Sequence, residues 1–299
     1  MTLIELVNSC AKQLDGAHLS FGHGTQNAFD EAAWLVLWRL GLPLDSALDQ
    51  TGEYAEKPIS HEDVERVEAL VRERIQTRKP AAYLTHEAWL QGFAFYVDER
   101  VIVPRSLIAE LLVNAGMDYF LSPSTHKVLD LCTGNGSLGI IAAQVFPDIE
   151  VTGSDLSEEA LVVARINVDK YQLQERMVLV QSDGLNAAAL QARGPFDLIV
   201  CNPPYVNAQS MAALPPEYLA EPAIALDGNT HGGSDGMDFV RSLLRDVASQ
   251  LSPQGVLVLE IGNERPYFEA AFPLLEVVWL ETSAGEDQVC LITHASLTP

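Results

Sequence analysis

Positive charge is scarce in this chain. Lysine and arginine total 18 against 41 aspartate and glutamate, a formal net charge of −23 over 299 residues. The shortage is uneven: residues 1–105 hold 10 basic and 16 acidic side chains, a net of −6, whereas residues 106–299 hold 8 and 25, a net of −17. Tight binding of bare duplex nucleic acid rests on Lys and Arg neutralising phosphates, so the C-terminal part is poorly suited to it. The same acidity favours a basic partner through long-range steering. It also serves solubility alone, and net charge by itself does not choose between the two. Cysteine is rare as well: Cys10, Cys132, Cys201 and Cys290 are scattered, with no CxxC and no pairing rhythm. A reduced, cytoplasmic protein without a structural metal is the economical expectation. Long apolar runs are missing. The densest, Ala32 to Trp38, stops at Arg39, far short of the ~18 residues of a membrane helix. Glu5 and the lack of a basic region ahead of an apolar core argue against a signal peptide. Internal repeats and low-complexity segments are also absent.

What is present is the composition of a globular protein, 48% hydrophobic and 20% charged, with length enough for one large domain and a small one. Thr2 to Leu14 and Phe29 to Leu40 carry apolar residues at helical spacing. Ser60 to Lys79 opens with a capping-box pattern at Ser60–Asp63 and continues with Val64, Val67, Leu70, Val71 and Ile75 on one face. Its other face presents Arg66, Arg72, Arg74, Arg78 and Lys79, the only basic cluster. Such a run is usually a solvated face, with RNA or a phosphate-rich assembly as the less favoured partner. Trp89 to Tyr96 and Arg100 to Val103 read as a hairpin turning at Val97-Asp98-Glu99 and closing the small domain. The expected boundary lies near 105, giving a helical domain over 1–105 and a second domain over 106–299, whose first helix runs from Pro104-Arg105-Ser106 to about Phe120.

From Lys127 onward strands and helices alternate. Strands are expected at Val128–Cys132, Ile149–Ser154, Met177–Gln181, Phe196–Cys201 and Gly255–Ile261. Helices fall at Ser137–Phe146, Ser157–Tyr171 and Asp235–Leu251. Repeated β-α units predict an α/β fold, an open and mostly parallel sheet with helices on both faces. The runs Leu275–Leu280 and Gln288–Thr293, joined by a short turn, imply an antiparallel member.

Chemistry concentrates in two places. The segment Asp130-Leu131-Cys132-Thr133-Gly134-Asn135-Gly136 follows the first of these strands and opens a helix. Its glycines let backbone approach a ligand, and the helix N-terminus offers free N–H groups. Asp155 ends the next strand, where an acid commonly accepts hydrogen bonds from ribose hydroxyls, and Asp183 ends the third, beside the place of an adenine ring. Asp130, Cys132, Thr133, Gly134, Asn135, Gly136, Asp155 and Asp183, together with Asn202, are the candidate cofactor-binding residues; no metal ligands are apparent. Gly134 to Gly139 also satisfies the dinucleotide pattern GxGxxG, a weak signal that leaves a nicotinamide enzyme as an alternative. Asp130 ahead of the glycines and the asparagine-proline turn after the fourth strand point instead to S-adenosylmethionine.

That turn, Asn202-Pro203-Pro204-Tyr205, is the candidate catalytic element. Two prolines remove two backbone donors and stop the strand. They leave bare carbonyls beside an amide and a phenol, an acceptor cluster suited to a planar –NH2 group. The plainer alternative is a rigid loop.

These residues carry a resemblance. Residues from about 80 to 293 resemble the glutamine methyltransferases of the translation apparatus, Rossmann-like class I enzymes that use S-adenosylmethionine. The helical N-terminal part is similar more loosely. The branch acting on the third large-subunit ribosomal protein is favoured over the release-factor branch by Pro80-Ala-Ala-Tyr83-Leu-Thr, by Phe95-Tyr-Val-Asp98-Glu-Arg-Val and by Val103-Pro-Arg105-Ser106. Cys132, where the wider family commonly has glycine, fits the same branch. The loop Glu221-Pro222-Ala-Ile-Ala-Leu226 and Gly232-Gly233-Ser-Asp235-Gly236 are likewise similar to the family's segment after the turn. The resemblance implies a basic ribosomal protein substrate, free or in an assembling large subunit. It also implies that the Asn202 side-chain oxygen and the Pro203 carbonyl accept the two amide hydrogens while Tyr205 packs against the flat amide. In-line transfer to a held amide depends mainly on positioning, and no base is required because an N-alkylated amide is strongly acidic. The nearest rival is an adenine-amino methyltransferase acting on RNA or DNA, which needs a basic groove for its flipped base. A non-catalytic cofactor-binding module is the rival from another class. No membrane partner is expected, and nucleic-acid contact only through the basic helix 60–79.

Overall fold

The computed structural model describes residues 1–48, 54–114, 116–117, 120–121 and 125–298. They divide into two compact units, Met1–Ala88 with Leu214–Ala220, and Trp89–Ala213 with Glu221–Pro299. The division falls at Ala88/Trp89 and not near 105.

The first unit is helical. Helix α1 (Leu3–Gly16) starts with a complete capping box from Thr2 and Glu5. Asn27 caps α2 (Ala28–Leu40) and Ser60 caps α3 (His61–Thr77), each side chain accepting from the N–H three residues on. A short α4 (Ala81–Thr85) follows. Leu6, Val7, Cys10, Leu35, Val36, Val67, Leu70 and Val71 form the shared core. The basic face expected on α3 is solvated at Arg66 and Arg72, which are exposed, but not at Arg74. Arg74 is fully buried; its Nε donates to Glu31 at 2.8 Å and its Nη1 lies 3.9 Å from Glu217. Arg78 Nε is 2.8 Å from Glu217, and its other nitrogens donate to the carbonyls of Ala17 and His18. Arg66 pairs with Asp63 and Arg72 with Glu68. Helical spacing puts Arg74 three, four and seven residues beyond Val71, Leu70 and Val67, on the apolar stripe and not on the charged face. The acids that draw it inward come from α2 and from residue 217.

The second unit opens with a two-stranded sheet, β1 (Ala88–Leu90) and β2 (Phe93–Phe95). The hairpin therefore turns inside the first expected run. Gln91 and Gly92 both take positive φ, 50° and 80°, as a two-residue type I′ turn requires. The second expected run, Arg100 to Val103, forms no strand. Its N–H groups are satisfied outside any ladder, Val101 by the nearby Asp98 carbonyl and Val103 by the remote Glu221 carboxylate at 2.8 Å. The helix expected from Pro104 is short, α5 (Ile108–Val113), closed by a bond from the Gly116 N–H to the Leu111 carbonyl. Residues 115, 118 and 119 of that expected helix lie outside the described residues.

The main sheet contains β3 (Lys127–Leu131), β4 (Glu150–Asp155), β5 (Met177–Gln181), β6 (Phe196–Cys201), β7 (Leu251–Glu260), β8 (Val278–Trp279) and β9 (Val289–Thr293) in the order β5-β4-β3-β6-β7-β9-β8. β9 runs antiparallel to both of its neighbours, β7 and β8, and is the antiparallel member expected at the C-terminus. Helices α6 (Ser137–Val145), α7 (Glu158–Lys170), α8 (Ala188–Gln191), α9 (Ala208–Ala212), α10 (Asp238–Asp246) and α11 (Arg265–Ala271) join the strands. Successive strand residues feed two cores in strict alternation. Val128, Leu198, Val200, Val256, Val258 and Leu291 enter one, and Leu129, Ile199, Cys201, Leu257, Leu259 and Ile292 the other. Both faces are therefore apolar, as a sheet covered by helices requires.

Where β7 ends, the buried Glu260 ties the segment before α5 to the sheet. Its Oε2 accepts from the Ser106 hydroxyl and from the Leu107 N–H at 2.9 Å. Burial outweighs these bonds and the nearby Arg105, raising the carboxyl from 4.5 to about 7. The folded chain thus keeps a proton that the unfolded chain releases, so this group makes stability fall as pH rises from about 4.5 through 7. We expect Glu260→Gln to flatten that decline, by at most about 1.4 kcal/mol per pH unit, in denaturant titrations at pH 5, 6, 7 and 8. An unchanged slope would show that Glu260 is ionised throughout. In the helical unit, Arg74→Met should lower stability by about 3–5 kcal/mol, because Glu31 loses its buried partner. A urea midpoint shift equivalent to under 1 kcal/mol would contradict this.

Candidate active site

The glycine loop is held from below. Asp130 is buried within β3, and its Oδ2 accepts from the Thr133 hydroxyl and from the Gly139 N–H at 2.8 Å. Burial pushes this carboxyl up to about 7, against the pull of those hydrogen bonds. Cys132 adopts φ +60°, a left-handed conformation that costs an L-residue roughly 1–2 kcal/mol and glycine nothing. That backbone accounts for the glycine expected there, and a cysteine side chain fits. The Cys132 thiol lies against Cys201, and this contact together with burial raises its pKa, so it is not an activated nucleophile. Asp155 closes the loop from β4. Its oxygens accept from the N–H groups of Gly134 and Ser157, each at 2.9 Å, and burial raises its pKa.

A cavity opens at the carboxyl ends of β3, β4, β5 and β6. Cys132, Gly134, Asp155, Asp183, Asn202 and Pro204 line it. Six of the sequence-derived candidates thus come together from four separate strand ends. Asp130, Thr133, Asn135 and Gly136 stand behind this lining as braces. The Asn135 carbonyl accepts from Asn167 at 2.9 Å, and Asn167 also exchanges two bonds with the Tyr96 backbone. Leu156, Ser182, Phe239, Ile224 and the pair Thr230 and His231 line the cavity too. Ile224 belongs to the Glu221–Leu226 stretch noted in the sequence, whereas no local motif marks the others; Phe239 lies on α10, far along the chain. Arg100 and Ile102 line it as well, on a stretch that reads in sequence as an ordinary β-run.

The asparagine-proline turn leaves β6 beside the glycine loop because Leu131 and Cys201 are partners in the sheet register. Among the described residues the Asn202 side chain has no hydrogen-bond partner, so its oxygen and nitrogen are both uncommitted. Pro203 is buried behind the lining. Tyr205 faces away from this cavity and lines a second one with Arg105, Glu260, Glu264 and Gln288. Its ring lies over Gly262, where a Cβ would come within 2.7 Å of it. The Tyr205 carbonyl meets Gly236 so closely that a Cβ there would sit 2.1 Å away. Two residues on, the Asn207 amide donates to both Glu264 oxygens at 2.8 Å. Burial and the charge of Glu260 raise the Tyr205 phenol pKa, so it remains neutral. The later segment is anchored as firmly: Glu221 accepts two bonds from Arg105, at 2.7 and 2.8 Å, in addition to the Val103 N–H.

The donor set suits S-adenosylmethionine. Two carboxylates at adjacent strand ends match ribose hydroxyls and a purine edge, and Leu156 and Phe239 supply apolar surface for the ring. A backbone N–H loop stands beside them. Among the described residues no cluster of His, Cys, Asp or Glu is arranged to hold a metal ion, and no helix is long and apolar enough to cross a membrane.

Comparison with known proteins agrees with this geometry. Residues 109–226 match the methyltransferase small domain family. The ribosomal protein uL3 glutamine methyltransferase of Burkholderia pseudomallei is 48% identical over 304 residues, covering 100% of this chain and 96% of that protein. The enzyme of the same name from Bordetella pertussis is 48% identical over 297 residues, with 99% and 96% covered. Among solved structures, the hMettl16 catalytic domain in complex with the MAT2A 3′UTR hairpin 6 superposes with a TM-score of 0.51 at 12% identity, covering 82% of this chain and 85% of that one; this likeness concerns the fold. Identity that runs through both units, and not through the cofactor-binding half alone, places the chain in the family of ribosomal protein uL3 glutamine methyltransferases, which depend on S-adenosylmethionine.

Proposed function

We propose that this protein methylates the side-chain amide nitrogen of a glutamine in ribosomal protein uL3, with Asn202 and the Pro203 carbonyl as the amide-holding groups. The observation that carries the reading is the uncommitted Asn202 amide on the wall of the cavity that Asp155 and Asp183 share. Asp155 is the proposed partner of the ribose hydroxyls, and Asp183 with Leu156 and Phe239 that of the adenine. Bound there, S-adenosylmethionine supplies a methyl group activated on a sulfonium.

A primary amide nitrogen is a weak nucleophile because its lone pair is delocalised into the carbonyl. Two acceptors, the Asn202 oxygen and the Pro203 carbonyl, fix both hydrogens in the amide plane and leave the face of the nitrogen, where its lone pair lies, open to the methyl group. Neither proline has an N–H, so no donor of the turn competes for these acceptors. Tyr205 serves the turn from behind, pressed on Gly262, and the Asn207–Glu264 bonds fix its exit. The proposed chemistry is mostly positioning, for which effective-molarity gains reach about 7–11 kcal/mol. The product loses its proton after transfer, and no side chain of the cavity is needed as a base.

The helical unit is the proposed address reader. The segment Leu214–Ala220, which belongs to it, follows the catalytic turn closely in sequence. A basic ribosomal protein suits the net charge of −17 over residues 106–299. Arg74 and Arg78 are held by Glu31 and Glu217, and the exposed Arg66 and Arg72 each sit beside an acid of α3 itself, Asp63 and Glu68, so the proposal assigns α3 no role in binding RNA. Labelled methyl transfer into unmethylated uL3 and unmethylated release factors, assayed side by side, tests the substrate. Label should appear in uL3 alone, on a glutamine by mass spectrometry; label confined to release factors overturns the assignment. Asn202→Ala should lower transfer at least about 100-fold while S-adenosylhomocysteine affinity, read by calorimetry, stays within about threefold. Retained turnover would remove Asn202 from the mechanism.

A further inference from the structure

Among the described residues the cavity is lined by two carboxylates, Asp155 and Asp183, and by a single arginine or lysine, Arg100. S-adenosylmethionine carries two cationic groups, the sulfonium and the ammonium, and one anion, the carboxylate of its amino-acid head. Adenosine supplies no charge. A lone permanent cation on the wall therefore has one anionic counterpart in the ligand.

The guanidinium is held in place by more than its own chain. Its Nε donates to Asp98 Oδ1 at 2.9 Å and its Nη2 to Asp98 Oδ2 at 2.6 Å, a two-point bond that fixes the plane of the fork. Asp98 is itself fixed, accepting from the Arg100 N–H at 3.1 Å and from the Tyr96 hydroxyl at 3.0 Å. The Tyr96 backbone is bolted by two bonds to the buried Asn167, which also donates to the Asn135 carbonyl of the glycine loop. One chain of hydrogen bonds thus runs from the cofactor loop to the arginine. Both bonds to Asp98 use Nε and Nη2, which leaves Nη1 out of them, and the guanidinium also meets the Tyr96 hydroxyl. Planar carboxylates are the ligands that such a preset fork matches best.

The simpler role for the Asp98–Arg100 pair is to close the turn in which the Val101 N–H meets the Asp98 carbonyl. That role needs neither a guanidinium on the cavity wall nor a tie to the glycine loop. We infer that Arg100 binds the carboxylate of the cofactor's amino-acid head, with Asp98, Tyr96 and Asn167 as positioning residues. The inference rests on the S-adenosylmethionine reading of the cavity and assigns one of its contacts.

Calorimetry on the full chain tests it with two ligands that differ in one group, S-adenosylhomocysteine and its decarboxylated analogue, which keeps the amine. The wild-type protein should prefer the carboxylate form by about 10–100-fold, the range of a hydrogen-bonded charged group. Arg100→Ala should abolish that preference while leaving affinity for the decarboxylated analogue within about twofold. Arg100→Lys, which keeps the charge and loses the fork, should retain part of it. No preference in the wild type, or equal losses for both ligands in the variants, would overturn the assignment; equal losses would identify a merely structural arginine. Failure of both ligands to bind the wild type would instead overturn the cofactor reading beneath it.

Discussion

The parallel pairing of β3 with β6 is the constraint on which the site depends. Its register sets Leu131 opposite Cys201, so the glycine loop and the asparagine-proline turn leave the sheet at the same level. On the other flank Leu131 pairs with Ser154 and Asp155 with Gln181, which carries the two strand-end acids to that level as well. β3 is also where the order of connection reverses, with β4 and β5 on one side and β6 and β7 on the other. The helices on the two sides diverge there and leave a crevice beyond the strand ends. A slip of one residue in β6 would exchange its two apolar faces and turn Asn202 from the crevice. The alternation of Leu198 and Val200 against Ile199 and Cys201 between two filled cores forbids that slip.

Around this frame, buried carboxyl groups do the work of stiffening. Asp130 grips the glycine loop, Glu221 the segment at Val103 and Arg105, Glu260 the start of α5, and Glu264 the exit of the catalytic turn. Each accepts bonds from a loop that has no strand partner, replacing a missing ladder. Desolvation opposes ionisation of Asp130 and Glu260, and both sit near neutrality in consequence. A reaction that proceeds by holding an amide still gains from such rigidity, because misplacement of reacting atoms by an ångström is costly.

Much of this was legible in the residues. The cap at Ser60, the strand runs, the glycine loop and the prolines after β6 are local signals, and each acts where its neighbours in sequence put it. The hairpin was not legible in its place. Gln91-Gly92 turns because Gln91 accepts a left-handed φ, whereas Val97-Asp98-Glu99 looked the better turn by composition. Arg100 to Val103 alternates like a strand, yet Glu221 and Asp98 take its N–H groups. Arg74 falls on the apolar stripe by spacing, but no local signal names its partners, since Glu31 and Glu217 are remote in the chain. Tyr205 reads as a stacking surface for substrate, and in the fold its ring covers Gly262.

The sequence by itself determined the class of the fold, and its strand-end acids and asparagine-proline turn, with the family resemblance they carry, pointed to the cofactor and to a planar –NH2 group as the one methylated. Those signals rest on turns and strand ends, where residue type removes or exposes backbone donors. Only the tertiary structure decided which residues face the cavity and which stand behind it. Asp130 and Asp155 look alike as strand-end acids, but one is sealed under Gly139 and the other reaches the wall. It also decided that Arg100 belongs to the site. Side-chain direction at an irregular segment is set by long-range hydrogen bonds, here from Asn167, and no periodicity within the segment encodes it.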